Sequence, residues 1–319
     1  MKRRTPTSSS KLLDLLQRQL QVWPLLEKNY GAMAGMQVKK HTVGGFTVKV
    51  QYNPARSVSS CAKMDSHSLQ QRPCFLCSEN LPPQQEALLW GRYLLLCNPY
   101  PIFPQHFTLA WYKHIPQSFF YIDDMLALAR RLEGLTLFYN GPKSGASAPD
   151  HLHFQAVTRS YMPADNEWDR CRLTPVYERN GGAIYMLAGY IRNGFIIKAR
   201  GLAMAGSLFM DTCFALPKKE DELEPMMNVF CRYRDDEWRI VVIPRKAYRP
   251  RQFFADDDTR LLCSPGAADI GGVFVTSREK DFHAINSYTL RDIYKQICYD
   301  DEAIAGMANK INQVYQKGK

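Results

Sequence analysis

Short runs of apolar and β-prone residues recur along the chain and predict a protein rich in β-strands. In the first half these runs cover residues 46–52, 92–97, 107–111, 135–139 and 151–158. Before the fourth run, residues 119–132 carry apolar side chains at helical spacing, which predicts an amphipathic helix. The order of strands, helix and paired strands is typical of an α+β fold in which helices pack on an antiparallel sheet.

The second half of the chain shows the same kind of pattern. Strands are predicted at residues 182–187, 195–199, 225–233, 238–244 and 271–276, and helices follow to about residue 315. Ahead of both halves, Ser10 can cap an apolar helix that Pro24 ends or perturbs. We therefore expect an N-terminal helical segment at residues 1–45, a first half at 46–175 and a second half at 176–319.

Composition limits the class of protein and its compartment. The 319 residues are 45% hydrophobic and 23% charged, which is typical of a folded globular protein with room for two domains. Nine cysteines without paired spacings indicate a reducing compartment. The basic residues 1–4 are not followed by an apolar run, and no stretch is long enough to span a bilayer. We expect a cytoplasmic protein with no membrane contact.

The formal net charge of +10 suits a polyanionic ligand. The charges are spread along the chain without a nucleic-acid-binding motif, so nucleic acid is not the expected partner. Clusters that include Arg56, Lys63 and Lys143 fit a polyphosphate nucleotide, although most single cations are solvated surface charges. Arg245 and Lys246, at the end of a predicted strand, could contact a second substrate or simply be exposed.

The segment from His151 to Gln155 is the strongest candidate for an active site. On a strand, alternate side chains share a face, so His151, His153 and Gln155 would line up. A neutral imidazole on a rigid strand is a competent nucleophile toward phosphorus. The preceding loop offers phosphate oxygens backbone N–H groups, a lysine and hydroxyls, with Asn140, Lys143, Ser144, Gly145 and Ser147 as candidates. Two histidines can alternate by chance, but the loop favours nucleotidyl transfer.

These residues resemble the H-x-H-x-Q signature of the histidine-triad superfamily, in its transferase branch. That branch includes galactose-1-phosphate uridylyltransferase, diadenosine tetraphosphate phosphorylase and the GDP-hexose phosphorylases. The resemblance implies a covalent nucleotidyl-histidine at His153. It also implies transfer rather than hydrolysis, because hydrolase members usually carry a third histidine where this chain has Gln155. It predicts two histidine-triad-like halves in one chain, a catalytic half at 46–175 and a degenerate half at 176–319.

The stretch from Asn98 to Gln117 is similar to the superfamily's nucleotide-binding strand and the turn after it. The resemblance implies that Asn98 contacts the ribose or base of the nucleotide and that Arg56 reaches a substrate phosphate. An Asn-Pro-x-Pro sequence is also a common turn. Its order and spacing relative to the histidines favour the nucleotide-binding interpretation.

Cys74 and Cys77 have the C-x-x-C spacing of a zinc half-site, although such a pair can also be a redox pair or two unrelated buried thiols. In the uridylyltransferases the corresponding pair is completed by two histidines, whose positions match His114 and His151 here. The resemblance therefore implies a Zn²⁺ ion held by these four residues, although some phosphorylase relatives lack the metal. Its role would be structural, because four protein ligands leave no open position for water.

The expected function is that of a nucleotidyltransferase or phosphorylase acting on an NDP-sugar or dinucleoside polyphosphate. His153 would take the nucleotidyl group and pass it to phosphate or a sugar phosphate, with Gln155 and residues 145–147 stabilising the charge. Two alternatives stay open: a nucleotide hydrolase of the same superfamily, and a non-catalytic nucleotide sensor. The motifs leave the base, the sugar and the acceptor undetermined, and they allow a homodimer.

Overall fold

The computed structural model describes residues 8–56, 72–179 and 181–317. Its strands are β1 (Val38–Val43), β2 (Phe46–Tyr52), β3 (Ala87–Trp90), β4 (Tyr93–Cys97), β5 (His106–Trp111), β6 (Leu135–Asn140), β7 (His153–Thr158), β8 (Leu173–Arg179), β9 (Gly182–Leu187), β10 (Gly194–Ala199), β11 (Met227–Arg234), β12 (Glu237–Pro244) and β13 (Val273–Thr276). Its α-helices are α1 (Ser8–Val22), α2 (Pro24–Ala32), α3 (Ile122–Arg131), α4 (Pro163–Glu167), α5 (Leu202–Phe214), α6 (Arg251–Phe254), α7 (Ala267–Ile270), α8 (Glu279–Ala284), α9 (Ser287–Ile297) and α10 (Asp301–Lys317). Among the described residues, the structure has no helix of the length and apolar character that a membrane crossing requires.

Ten strands form one large antiparallel sheet in the order β3-β4-β5-β7-β6-β11-β12-β10-β9-β8. Each half contributes five strands, β3 to β7 in the first half and β8 to β12 in the second. Counted from the outer edge of the sheet inward, the first three strands of each half lie in chain order, and the fifth strand comes before the fourth. In each half a helix connects the third and fourth strands, α3 in the first and α5 in the second. The chain therefore contains two copies of a β-β-β-α-β-β unit, joined where β6 pairs with β11. This confirms the predicted α+β fold with two histidine-triad-like halves.

The second half is degenerate in its chemistry. In the repeated order, β12 takes the position that β7 takes in the first half. β7 begins with His153, whereas the sequence of β12, EWRIVVIP, contains no histidine. The candidate nucleophile therefore belongs to the first half.

The two faces of the large sheet are covered differently. The long helices α1, α3, α5 and α10 contribute to one apolar core, in which Phe154 and Ala156 of β7 are buried. A second core on the opposite face contains Val157 and residues of a smaller sheet, in which β2 pairs with β1 and with β13. Since side chains alternate along a strand, His153 and Gln155 belong to the face of the smaller sheet.

Most predicted strands are confirmed, and the errors have local causes. The hairpin of β11 and β12 turns through Asp235 and Asp236, whose φ angles of 53° and 58° are those of a tight turn with left-handed residues. His151 precedes β7 and does not share its face, because the strand begins at His153. Ser10 lies inside α1, which begins at Ser8, and Pro24 both ends that helix and starts α2. The division of the chain at residues 46 and 176 stays a prediction.

Candidate active site

The side chain of Gln117 forms hydrogen bonds to both the backbone N–H and the backbone carbonyl of His153, the first residue of β7. Its N–H donates to Gln117 Oε1 (2.8 Å), and Gln117 Nε2 donates to the carbonyl oxygens of His153 (3.0 Å) and Asn140 (3.0 Å). The Gln117 side chain is 1% exposed, so water does not compete for these bonds. This amide therefore fixes the start of β7 relative to the end of β6.

The His153 ring is held in one tautomer. Its Nδ1 lies 2.8 Å from the carbonyl oxygen of His151, which can only accept a hydrogen bond, so Nδ1 carries the proton. Burial lowers the pKa of His153 to about 4, so the ring is neutral at physiological pH. Nε2 keeps its lone pair and has no hydrogen-bond partner among the described residues. The ring therefore has the electronic state that a nucleophile requires.

Gln155 is oriented by a histidine to which the sequence assigned no role. His106 Nδ1 accepts the N–H of Ile102 (3.2 Å), which places the ring proton on Nε2. That Nε2–H donates to Gln155 Oε1 (2.7 Å). Burial lowers the pKa of His106 to about 3, so the arrangement does not change at physiological pH. With its oxygen engaged, Gln155 keeps its amide N–H groups free to donate.

Two adjoining cavities meet at these residues. The larger cavity, about 380 Å³, is lined by apolar side chains such as Trp23, Phe75 and Leu96 and by His153. The smaller cavity, about 80 Å³, is lined by residues of both halves of the chain. Three residues line both cavities: Arg56, Ser147 and Gln155. The pair offers an apolar space next to a polar one, as a nucleoside joined to phosphate would need.

The structure places five of the seven predicted substrate-binding residues at the two cavities, and four of them have no direct conflict with a substrate role. Asn98 lines the larger cavity, Gly145 lines the smaller one, and Arg56 and Ser147 line both. Arg56 Nη1 donates to the carbonyl oxygen of Tyr100 (3.0 Å), and burial lowers the pKa of this guanidinium to about 10, so it stays charged. A fixed cation thus lies next to Gln155.

Asn140 is the fifth residue at the cavities and has a supporting role, whereas Lys143 and Ser144 line neither cavity. Lys143 is half-exposed and pairs with Glu222, and Ser144 is fully buried and lines neither cavity. Asn140 lines the smaller cavity, but its Oδ1 is occupied, since it accepts from Asn228 Nδ2 (3.0 Å) and the Ala267 N–H (2.7 Å). Lys63, from the predicted basic cluster, lies outside the described residues.

Arg245 corrects the expectation of an exposed cation at a strand end. Its side chain is 2% exposed, and its Nη1 donates to Asn228 Oδ1 (2.7 Å) and to the carbonyl oxygen of Pro265 (3.0 Å). These bonds continue the network from Asn140 through Asn228. Arg245 therefore supports the loop of the smaller cavity from the second half of the chain.

Several residues that the sequence did not mark also line the cavities. Arg72 lines the larger cavity, where its Nη2 donates to the carbonyl oxygen of Ser147 (2.8 Å). Arg249, Tyr248 and Ser264 reach the smaller cavity from the second half. The Arg249 Nε–H donates to the Ser264 hydroxyl (3.1 Å). No local motif marks Tyr248, Arg249 and Ser264, because only the pairing of the two halves brings them to the site.

Cys74, Cys77, His114 and His151 form one cluster whose ligand atoms all lie within 4.8 Å of one another. The Cys74 Sγ lies 3.3 Å from His151 Nδ1, and the Cys77 Sγ lies 3.2 Å from His114 Nδ1. For a tetrahedral zinc ion with bonds of about 2.3 Å to sulfur and about 2.0 Å to nitrogen, the expected separation is about 3.5 Å. The four predicted ligands therefore fit a metal ion.

The surroundings of the cluster also suit a metal. His151 Nε2 lies 2.7 Å from the carbonyl oxygen of Trp111, so Nε2 carries the proton and Nδ1 faces the thiols with its lone pair. Burial lowers the pKa of His151, which favours the neutral form that a metal requires. On the other side, His114 Nε2 lies 3.7 Å from the Asp150 carboxylate. Such outer contacts orient metal-binding imidazoles.

Comparisons with known proteins match both halves. Residues 15–158 match a family described as a domain of unknown function (DUF4922), and residues 168–318 match the family described as GDPGP1-like, C-terminal domain. No curated protein matches the chain. The structure of yeast Ap4A phosphorylase Apa2 is 17% identical with a TM-score of 0.53, covering 89% of this chain and 94% of that chain. The same enzyme in complex with AMP is 17% identical with a TM-score of 0.52, covering 90% and 97%.

An ADP-glucose phosphorylase from Arabidopsis thaliana with bound ADP-glucose is a more distant match, 13% identical with a TM-score of 0.39, covering 81% of this chain and 99% of that chain. The fold shared with the yeast enzyme and the repeated β-β-β-α-β-β unit agree with the H-x-H-x-Q motif. The chain thus shares the fold of the yeast phosphorylase, and its residues 168–318 match the family described as GDPGP1-like, C-terminal domain.

Proposed function

We propose that this protein is a nucleotidyltransferase that acts on an NDP-sugar or a dinucleoside polyphosphate through a covalent nucleotidyl-histidine at His153. The observation that carries the proposal is the bond from His153 Nδ1–H to the His151 carbonyl oxygen, beside the larger cavity. It leaves a neutral Nε2 with a lone pair on a ring that burial keeps unprotonated. The apolar part of the larger cavity suits a nucleoside.

The reaction proceeds by two displacements. In the first, His153 Nε2 attacks the α-phosphorus, a P–N bond forms, and the bond from phosphorus to the bridging oxygen breaks to release a sugar phosphate or a nucleotide. In the second, an oxygen of the acceptor attacks the same phosphorus and the P–N bond breaks. Arg56 and the N–H groups of Gln155 stabilise the negative charge on the non-bridging oxygens.

The acceptor is phosphate or a sugar phosphate. Gln155 can donate to a phosphate oxygen, but an amide cannot remove a proton from water as an imidazole can. In the smaller cavity, Arg249 offers a cation to an anionic acceptor. Water, which carries no charge, gains nothing from that contact. The geometry thus favours transfer over the hydrolase alternative.

Zinc is the metal that best suits two thiolates and two imidazoles, and we assign it a structural role. Bound there, it would hold the segment that contains Cys74 and Cys77 against His151, two residues before the nucleophile. It would supply rigidity at the start of β7 and would take no part in the displacements.

The covalent intermediate is tested by intact-mass spectrometry. Wild-type protein is mixed with Ap4A or ADP-glucose in the absence of phosphate, and one added nucleotidyl mass is expected. The His153→Ala variant should remain unmodified, while His283→Ala, which removes an exposed histidine that pairs with Glu279, should be modified like the wild type. An adduct that persists in His153→Ala would refute the assignment of the nucleophile. Binding of these nucleotides without any adduct or turnover would favour the non-catalytic sensor.

The acceptor is tested by initial rates at fixed nucleotide substrate and increasing phosphate or sugar phosphate. We expect a strong acceleration over the reaction with water and ping-pong kinetics, since both half-reactions share one intermediate. Gln155→His should raise the hydrolytic rate relative to the transfer rate, because an imidazole can serve as a general base. Turnover that ignores every acceptor while mononucleotide accumulates would assign the protein to the hydrolases.

A further inference from the structure

Five arginine side chains surround a separate cavity of about 250 Å³ at another end of the large sheet. They come from the end of β7, the end of β10 and the hairpin of β11 and β12, and three carboxylates line the same cavity. The arginines are Arg159, Arg200, Arg232, Arg234 and Arg239, and the carboxylates are those of Asp169, Asp235 and Glu237. The lining side chains thus carry five cations and three anions, and one further carboxylate, that of the buried Asp165, acts on Arg159 and Arg232 from behind the lining.

The carboxylates do not neutralise the cluster. Asp169 is shared, because it contacts both Arg232 and Arg239. Asp235 pairs with Arg234 at 3.0 Å, where both side chains are strongly exposed and the pair contributes little. Within residues 8–56, 72–179 and 181–317, the guanidinium of Arg159 has no hydrogen-bond or ion-pair partner.

The guanidinium of Arg200, which follows β10, likewise has no hydrogen-bond or ion-pair partner in the described part of the chain. Only its backbone N–H forms a hydrogen bond, to the carbonyl oxygen of Gly181. Arg232 and Arg239 are directly opposite each other in the register of β11 and β12. Like charges at opposed positions of an antiparallel pair destabilise a sheet. Burial and then the neighbouring charges of Arg232 and Arg234 lower the pKa of Arg159.

We infer that this arginine cluster binds the phosphate group of a small molecule carrying at least two negative charges. A guanidinium group can donate two parallel hydrogen bonds to two oxygens of one phosphate group. A phosphate group therefore suits an arginine cluster better than a singly charged anion does. Such a ligand would pair with the guanidinium groups of Arg159 and Arg200, which have no partner among the described residues, and would join the ends of β7, β10 and the hairpin. The confined volume favours a small molecule over a polymer.

The cluster is distinct from the candidate active site. Arg159 lies six positions beyond His153 along β7, which is about 20 Å in an extended strand. No residue lines both the arginine cavity and either cavity of the active site. Binding at the arginine cluster therefore does not depend on the chemistry proposed for His153.

Arginine protection tests the site directly. The full-length protein is treated with phenylglyoxal with and without inorganic pyrophosphate, and modification is followed peptide by peptide with mass spectrometry. We expect pyrophosphate to slow modification of Arg159 and Arg200 at least tenfold and to leave Arg131 and Arg291, which are exposed elsewhere, unchanged. Equal protection of all four would indicate general ionic screening and overturn the inference, as would the absence of protection.

Binding is measured by calorimetry on matched variants. Arg159→Gln/Arg200→Gln removes the two unpaired cations, and Arg131→Gln/Arg291→Gln removes the same charge elsewhere. We expect the first variant to lose the pyrophosphate-dependent increase in melting temperature and at least tenfold in affinity at this site, and the second to keep both. If citrate at equal ionic strength protects as well as pyrophosphate, or if only heparin protects, the phosphate assignment is wrong.

Discussion

Glu224 should make the protein less stable as the pH rises through neutrality. Its carboxylate is 6% exposed and accepts hydrogen bonds from the Tyr139 hydroxyl (2.8 Å) and the Phe119 N–H (2.8 Å). Burial raises the pKa of Glu224 from 4.5 to about 7. The unfolded chain releases this proton near its ordinary pKa, whereas the folded protein retains it. The contribution of Glu224 to the free energy of unfolding is fully present below pH 4.5 and is lost as the pH rises through about 7.

The magnitude follows from the two pKa values. Between pH 5 and pH 8, the linkage relation gives a loss of about 2.5 kcal/mol in the free energy of unfolding. The Glu224→Gln side chain has the same shape and one acceptor oxygen but cannot ionise. The free energy of unfolding of this variant should therefore not show the decrease that ionisation of Glu224 causes in the wild type. Relative to the wild type, its free energy of unfolding should rise by about 2.5 kcal/mol over that pH range.

The assay is urea unfolding of wild type and variant at pH 5, 6, 7 and 8, with the difference taken at each pH so that other groups cancel. Glu27→Gln, which changes a carboxylate that is exposed on α2, is the matched control and should not show this rise. A difference for Glu224→Gln that is also independent of pH would refute the reasoning, because the buried proton would then be absent.

Protein purified without chelator should carry about one equivalent of zinc, and Cys74→Ser should lose both metal and thermal stability, since structural zinc contributes to folding. Cys213→Ser, which changes a buried thiol outside the cluster, should keep the metal, and elemental analysis that finds no zinc in the wild type would remove the site. Gly145→Ala should lower stability and activity, because φ is +95° and a Cβ would lie 2.4 Å from a backbone carbon of the facing loop. Gly134→Ala, at φ +97° with open space around it, should cost only the backbone strain of about 1–2 kcal/mol, so equal losses in denaturation would contradict the close contact.

Elements with a clear period were predictable from the sequence, and those without one were not. β2 and β9 have the predicted bounds, because apolar residues and flanking turns mark both ends. β1 was not predicted, because its sequence, VKKHTV, is mostly polar and lacks the alternation of apolar and polar residues that indicates a strand. α5 was missed for the opposite reason, since it is apolar on most sides and lacks the polar face that identifies a surface helix.

The site was predictable where its residues are close in sequence. One short segment predicted His153 and Gln155, which the structure places at the larger cavity, and the family resemblance predicted the four residues that the structure brings into one Cys/His cluster. Arg249 was not found, because its position beside Gln155 depends on the packing of the second half against the first. Lys143 was included because it lies in the loop, yet its side chain turns to Glu222.

The pairing of β6 with β11 has a consequence for any attempt to isolate the first half of the chain. All six residues of β6 are buried, and four of them pair with β11. Separated from its neighbour, β6 would present a row of unpaired amide and carbonyl groups with apolar side chains beside it, an edge that readily recruits another strand. An excised first half would therefore tend to dimerise or aggregate through β6, and its Asn140 would lose the partner amide of Asn228. The second half of the chain thus covers an edge that the first half alone would expose.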